Sequence, residues 1–503
     1  MQILRALTYT ISISLAFSCW SQTIGAIPEI MLILDSSGSM SEQVGNEKKI
    51  DVAKKVMHEI VPQLPVDAAV GLTVYGHRRQ GDCSDIETVF AAGQSDRRAI
   101  LQQVDRMKPV GKTPLARSLL QVSSGIKLKD AETTIVLVSD GIDTCGGDPC
   151  SVVKELKKSG LKFVLHTVGF DVDPKASQQL QCMAQAGGGE YFVASDAKTL
   201  LDALKTVTVE VAGKVEHAKA ELVKVESGLG KLRLAMPKNS EKSLKHLQII
   251  RKKDGKVLKD ITGVESDSTH PLLSGVYTIR IGFAQPNYGD PTWAELGDVT
   301  IAKGQTREVI LGSISFSLPE EVEKRPRDTG LNIKTVEVVH AGTDRAVAVV
   351  YDNKNGFYNF KPKPVVPGLY DVRFEYVSAE PFKCMIAKNI SVQAGKDTLV
   401  ALNTGIRLTG NIGEITGWDL IPIGQELTDV DEDGSLPKAE NPLLVVRNKL
   451  GIGGNRRFVG YTYLVPPGHY KIDAFLDGMS EPLPVAENID LSSGTIMEFD
   501  AGL

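Results

Sequence analysis

Ile30-Met31-Leu32-Ile33-Leu34-Asp35-Ser36-Ser37-Gly38-Ser39-Met40 is the stretch whose reading decides the fold. Its first five residues form a short, continuous apolar run, β-branched in part, with the length of a buried strand. Strands buried on both faces belong to parallel sheets covered by helices. The run ends in Asp-x-Ser-x-Ser, which spaces three oxygen side chains at i, i+2 and i+4. At the two-residue period of a strand they can point the same way. One carboxylate and two hydroxyls are hard oxygen donors, suited to Mg²⁺, Mn²⁺ or Ca²⁺ and not to zinc. A donor set this poor in negative charge leaves a divalent ion with positive charge to share with a carboxylate from another molecule.

Two distant segments complete the pattern. Val110-Gly111-Lys112-Thr113-Pro114-Leu115 opens a helix, with proline in its first turn, and supplies Thr113. Ile135-Val136-Leu137-Val138-Ser139-Asp140-Gly141 is a second buried strand that ends in Asp140. Taken in this order, the three segments resemble the metal-ion-dependent adhesion site of von Willebrand factor type A domains. All five positions match: Asp35, Ser37, Ser39, Thr113 and Asp140. The resemblance implies that Ser37, Ser39 and Thr113 contact the ion, and that the two aspartates act directly or through water. It implies Mg²⁺, with Mn²⁺ or Ca²⁺ as alternatives, and a protein partner that presents an Asp or Glu carboxylate. A turn capping a helix would explain the first segment alone, but not all three. Tyr75-Gly76-His77-Arg78-Arg79, Asp140-Gly141-Ile142-Asp143-Thr144-Cys145 and Gly169-Phe170-Asp171-Val172-Asp173 extend the likeness to bacterial type A proteins within the same region.

From about residue 28 to 212 strands and helices alternate. Expected strands are Glu29–Leu34, Ala68–Tyr75, Thr133–Ser139, Lys162–Val168 and Glu190–Val193. Expected helices are Glu47–Val61, Ser95–Val104, Pro114–Gly125, Pro149–Lys158, Pro174–Ala186 and Ala197–Val211. The alternation predicts a doubly wound α/β domain with a mainly parallel sheet, whose ligands bind at the carboxyl ends of strands near a switch point. After about 213 the texture changes to alternating stretches bounded by Gly, Pro, Asn and Asp. Ser274-Gly275-Val276-Tyr277, Pro367-Gly368-Leu369-Tyr370 and Pro467-Gly468-His469-Tyr470 mark an internal repeat. Its period of roughly 90–100 residues fits tandem β-sandwiches better than a solenoid. The expected organisation is a signal peptide (1–26), a type A domain (27–212) and three β-sandwich modules (213–312, 313–405 and 406–503).

The chain has 503 residues, 42% of them hydrophobic and 24% charged, with a formal net charge of −5. That balance gives no reason to expect nucleic acid or anionic membrane as a partner. Arg5 followed by the apolar stretch Ala6–Phe17 suits an export signal cleaved near Ala26. Cys19 lacks a leucine three residues before it, so lipid anchoring is not expected. No later run reaches ~18 apolar residues, so no spanning helix is expected. The reading is an exported protein, periplasmic or at the cell surface. Cys83, Cys145, Cys150 and Cys182 fit two disulfides in an oxidising compartment, with connectivity open. A zinc site using Cys145, Cys150 and nearby His77 is the weaker alternative, because the Cys pair is spaced too widely. Cys384 is expected as a buried free thiol, and His77 as a surface or outer-shell residue.

A second metal candidate is Asp429-Val430-Asp431-Glu432-Asp433-Gly434-Ser435, with Glu440 at position twelve. Asp429, Asp431, Asp433, Ser435 and Glu440 have calcium-loop spacing. The flanks do not suit an EF-hand: Pro437 and Pro442 break any following helix, and an acidic solvated loop is the bland alternative. The sequence contains no His-Glu-x-x-His, phosphate-binding glycine loop or Gly-x-Ser-x-Gly elbow. No enzyme is therefore expected. The expected function is metal-dependent binding of a protein partner. The alternative is a structural subunit of an envelope assembly whose metal site only stabilises the fold.

Overall fold

A computed structural model describes residues 28–93, 96–126, 132–223, 227–283, 292–320, 333–352, 357–358, 360–376, 382–409, 415–423, 444–447, 462–476, 483–492 and 494–500. The candidate signal peptide and the acidic loop 429–440 lie outside the described residues, as does the side chain of Cys384.

The first domain is built on six strands: β1 (Glu29–Asp35), β2 (Ala69–Tyr75), β3 (Ile86–Phe90), β4 (Thr133–Ser139), β5 (Phe163–Phe170) and β6 (Gly188–Ala194). They lie side by side in the order β3-β2-β1-β4-β5-β6. All neighbours are parallel except β3, which pairs antiparallel with β2 at one edge. Chain order reverses between β1 and β4, so the switch point lies beyond the carboxyl ends of the two strands that carry Asp35 and Asp140. Six helices cover the sheet: α1 (Lys49–Ile60), α2 (Arg97–Arg106), α3 (Leu115–Gly125), α4 (Pro149–Ser159), α5 (Pro174–Gly187) and α6 (Ala197–Val223). Ile30, Leu32 and Leu34 face one core with α1 and α6, while Met31 and Ile33 face another with α3 and α4. Each such side chain contributes about 1.5–3 kcal/mol by leaving water.

Three details depart from expectation. The edge strand β3 is not among the strands read from the sequence, because its half-exposed residues give no clear apolar run. Helix α1 starts at Lys49, since Glu47–Lys48 pairs with Gln43–Val44 as a small hairpin. Helix α6 continues past Val211 to Val223, because Val207, Val211, Val215 and Ala218 prolong one buried stripe at helical spacing. Among the described residues no helix is long and apolar enough to cross a membrane.

Three β-sandwich modules follow. In each, one sheet is three-stranded: Asp267–Leu273, Leu229–Ala235 and Thr306–Ile310; then Lys363–Val365, Gly312–Ser317 and Asp397–Ala401; then Thr462–Leu464, Gly405–Thr409 and Ile496–Asp500. The opposing sheets pair Leu244–Arg251 with Gly275–Phe283, Ile333–His340 with Gly368–Tyr376, and Ile415–Pro422 with Gly468–Leu476. The first and last strands of every module run parallel.

The repeated tyrosine explains the sequence repeat. Tyr277, Tyr370 and Tyr470 each donate a hydrogen bond to the carbonyl four residues upstream: Leu273, Val366 and Pro466, at 2.7, 2.6 and 2.7 Å. All three side chains are buried, so each closes its corner inside the core. Tyr370→Phe is therefore expected to destabilise its module by about 1–2 kcal/mol, read as a lower denaturant midpoint. An unchanged midpoint would contradict this role.

The modules also touch the first domain. Ala341 and Leu369 of the second module share a core cluster with Leu115, Leu119, Leu120 and Leu161. A Cβ on Gly342 would lie 3.0 Å from the Leu120 side chain, so the two surfaces are in close apposition.

Candidate metal-ion site

β1 delivers Asp35 to the switch point with only 2% of its surface exposed. Its Oδ1 accepts the Ser37 N–H at 2.7 Å. Its Oδ2 accepts hydroxyls from Tyr75 at 2.7 Å and Ser139 at 2.6 Å. These bonds fix the carboxylate from the ends of β1, β2 and β4 together. Beyond Asp35 the chain tightens into a short 3-10 turn, Gly38–Ser41. That turn sets the Ser37 and Ser39 hydroxyls 3.1 Å apart. Ser39 then donates to Asp140 Oδ1 at 2.7 Å. Ser37, Ser39 and Asp140 are thus linked side chain to side chain, and the Asp35 carboxylate joins them through the Ser37 N–H.

Thr113 joins through backbone. Ser37 and Gly111 form a parallel bridge, and the Gly38 N–H donates to the Gly111 carbonyl at 3.0 Å. Thr113 itself is buried; its N–H donates to Thr144 Oγ1 at 2.9 Å, and its carbonyl accepts the Thr144 N–H at 3.0 Å. Gly76 makes this approach feasible. It sits at φ +69°, and a Cβ there would lie 2.7 Å from the Lys112 carbonyl and 3.0 Å from the Ser37 backbone. Asp143 caps α3 by accepting the Ala116 N–H, and it also accepts from Cys145 and Gly147. It therefore couples the Asp140 loop to the helix that begins beside Thr113.

Disulfides Cys83–Cys145 and Cys150–Cys182 secure the surroundings. The first ties the loop after Gly76 to the loop after Asp140. The zinc alternative falls with them, because Cys145 and Cys150 are both bonded to other cysteines. His77 is not on the surface: its side chain is 6% exposed and Nε2 lies 3.0 Å from Glu87.

Tyr75, Ser139, Gly111 and Lys49 are the site's residues that sequence reasoning did not single out. Tyr75, Gly111 and Ser139 lie within segments quoted for their motifs, but their roles depend on chain crossings that spacing does not display. Lys49 gave no signal beyond a charge at a helix start. Its Nζ lies 3.4 Å from Asp140 Oδ2 and 3.3 Å from Asp171 Oδ2.

The electrostatics suit a cation. Burial, and next the neighbouring Asp35 carboxylate, push Asp140 up to about 7, against the pull of Ser39 and Lys49. Burial and then Asp35 likewise hold the Tyr75 phenol well above its usual range, so it stays a donor. Burial works against the charge on Lys49, but Asp140 and Asp171 outweigh it and raise its pKa. Two adjacent buried carboxylates, ringed by neutral hydroxyls, outnumber the one buried ammonium beside them, that of Lys49. The donors are all oxygen, which fits Mg²⁺, Mn²⁺ or Ca²⁺.

The profile of the von Willebrand factor type A domain matches residues 29–206. The uncharacterized protein YwmD of Bacillus subtilis (strain 168) is 31% identical over 196 residues, covering 37% of this chain and 88% of its own length. The uncharacterized protein YwmC of the same organism is 32% identical over 178 residues, covering 34% and 78%. Among solved structures, von Willebrand factor type A from Catenulispora acidiphila aligns over 56% of this chain and 67% of its own, with 18% identity and a TM-score of 0.31. A score that low carries no argument about activity.

Proposed function

We propose, from the premise that this chain belongs to the von Willebrand factor type A domain family, that it is an exported protein whose first domain binds a protein partner in a divalent-ion-dependent way. The observation that carries this reading is the cluster of buried Asp35, Ser37 and Asp140 with half-buried Ser39 at the switch point, with the Thr113 loop bridged onto it. Ser37, Ser39 and Thr113 would hold the ion, and Asp35 and Asp140 would hold it directly or through water. A bound Mg²⁺, Mn²⁺ or Ca²⁺ would supply an electrophilic centre for an Asp or Glu carboxylate of the partner.

Tyr75 and Ser139 keep Asp35 oriented, and the Cys83–Cys145 bond keeps the rim loops in place. The two disulfides support an oxidising compartment, outside the cytoplasm. A binding role needs no general base, and the site's hydroxyls are spent on one another and on carboxylates rather than on an imidazole. The proposed division is a type A domain followed by three modules, with boundaries near 223, 311 and 404 rather than 212, 312 and 405, because α6 runs to Val223 and module strands begin at Gly312 and Gly405. The modules would serve as spacers or widen the contact surface.

The test uses the full chain against displayed random peptides, in Mg²⁺ and in EDTA. Sequences retained only in Mg²⁺ are expected to share an Asp or Glu whose amide replacement abolishes binding. Thr113→Ala is expected to weaken their capture at least tenfold while the protein stays folded. Capture that survives both EDTA and Thr113→Ala would contradict the reading.

A further inference from the structure

Lys49 holds a position that protein binding alone does not explain. It is the first residue of α1, and its N–H donates to the Glu42 carbonyl at 2.9 Å. The side chain is only 5% exposed and turns inward. Its ammonium meets Asp140 Oδ2 at 3.4 Å, Glu42 Oε2 at 3.4 Å, and both the carboxylate and the carbonyl of Asp171 at 3.3 Å. Of these three acids, only the Asp140 side chain is fully buried; Glu42 and Asp171 are 66% and 46% exposed. Asp171 adopts φ +53°, a left-handed conformation uncommon outside glycine. Its N–H is held by the Ala194 carbonyl at 2.7 Å. The backbone is thus locked where two of its oxygens face the ammonium.

Because the ammonium is buried, solvent ions screen its charge poorly, and it acts on the whole cluster. Glu42 and Asp171 are open to solvent, so among the buried groups the two carboxylates Asp35 and Asp140 and the one ammonium leave a single negative charge. A divalent ion then carries the cluster to a single positive charge, and that surplus attracts an incoming carboxylate. Without the ammonium, Asp35 and Asp140 alone would neutralise the ion.

We infer that Lys49 is a built-in counter-charge that weakens the site's hold on its divalent ion and strengthens the ion's hold on a partner carboxylate. This rests on the reading of the site as an ion-dependent binding site. It makes Lys49 a regulator of that site rather than a ligand.

The experiment compares the full-length wild type with Lys49→Met and Lys49→Arg, by calorimetric titration with Mg²⁺ alone and by NMR titration of the Mg²⁺-loaded chain with acetate. Lys49→Met is expected to bind Mg²⁺ about tenfold more tightly and acetate about tenfold more weakly, while Lys49→Arg stays near wild type. A purely structural lysine would give the opposite sign for the ion, with Mg²⁺ binding lost along with thermal stability. That result, or equal Mg²⁺ affinities in wild type and Lys49→Met, would overturn the inference and leave the site reading intact. Mg²⁺ binding by neither protein would overturn both. If Lys49→Met does not fold, Lys49→Gln removes the same charge while keeping a donor for Asp140 and Asp171, and it is judged by the same signs.

Discussion

Asp35→Asn is expected to abolish Mg²⁺-induced stabilisation without harming the metal-free fold. The amide keeps an oxygen for the Ser37 N–H, and the Tyr75 and Ser139 hydroxyls can rotate to accept from its nitrogen. What disappears is one of two adjacent buried carboxylates. An ion that binds only the folded state at a hundred times its Kd stabilises by about 2.7 kcal/mol. In a domain of this size that is a rise in Tm of roughly 5–10 °C. Wild type should show it, and Asp35→Asn should not.

A pH effect accompanies this. The carboxyl of Asp140 is raised from 3.8 to about 7 in the fold. Its contribution to metal-free stability is therefore fully present below about 3.8 and is lost as pH rises through about 7. Asp35→Asn removes the carboxylate that, after burial, does most to raise it. The metal-free variant should lose less stability than wild type across that window. Thermal scans between pH 4 and pH 8, with and without Mg²⁺, read both effects. A Tm rise with Mg²⁺ that persists in Asp35→Asn would rule out Asp35 as part of the site.

The second large effect belongs to the disulfides. Cys83 and Cys145 are 62 residues apart, and Cys150 and Cys182 are 32 apart. Closing the longer loop constrains the unfolded chain by up to about 4 kcal/mol on the chain-entropy account, with about 2–4 kcal/mol typical. Cys83→Ser with Cys145→Ser is expected to lower the Tm of the first domain by roughly 6–12 °C, for a loss of about 3 kcal/mol. Removing the Cys150–Cys182 bond should cost less, by about 0.6 kcal/mol on the same account. The first bond also joins the two loops that flank Ser37 and Asp140, so its loss should weaken Mg²⁺ binding as well. A reductant that leaves both Tm and Mg²⁺ affinity unchanged would contradict this.

How much of this was legible in the sequence follows from what each feature depends on. The apolar runs before Asp35 and Asp140 are local, and a parallel sheet is the usual home of such runs. Strand order then carries both aspartates to one switch point. The repeated tyrosines were visible as a motif, but their hydrogen bonds to Leu273, Val366 and Pro466 come from the three-dimensional corner. Cysteine pairing was open, because connectivity depends on which loops meet above the sheet. Lys49 was invisible: its partners lie at Glu42, Asp140 and Asp171, on three separate segments. The edge strand Ile86–Phe90 was missed because its partner, and not its own pattern, makes it a strand.

The most direct test of the central claim is calorimetric titration of the full-length, metal-free chain with Mg²⁺, in wild type and in Asp35→Asn. The account predicts one Mg²⁺ per chain in wild type and no measurable binding in the variant. Equal binding by both proteins, or none by wild type, would contradict it.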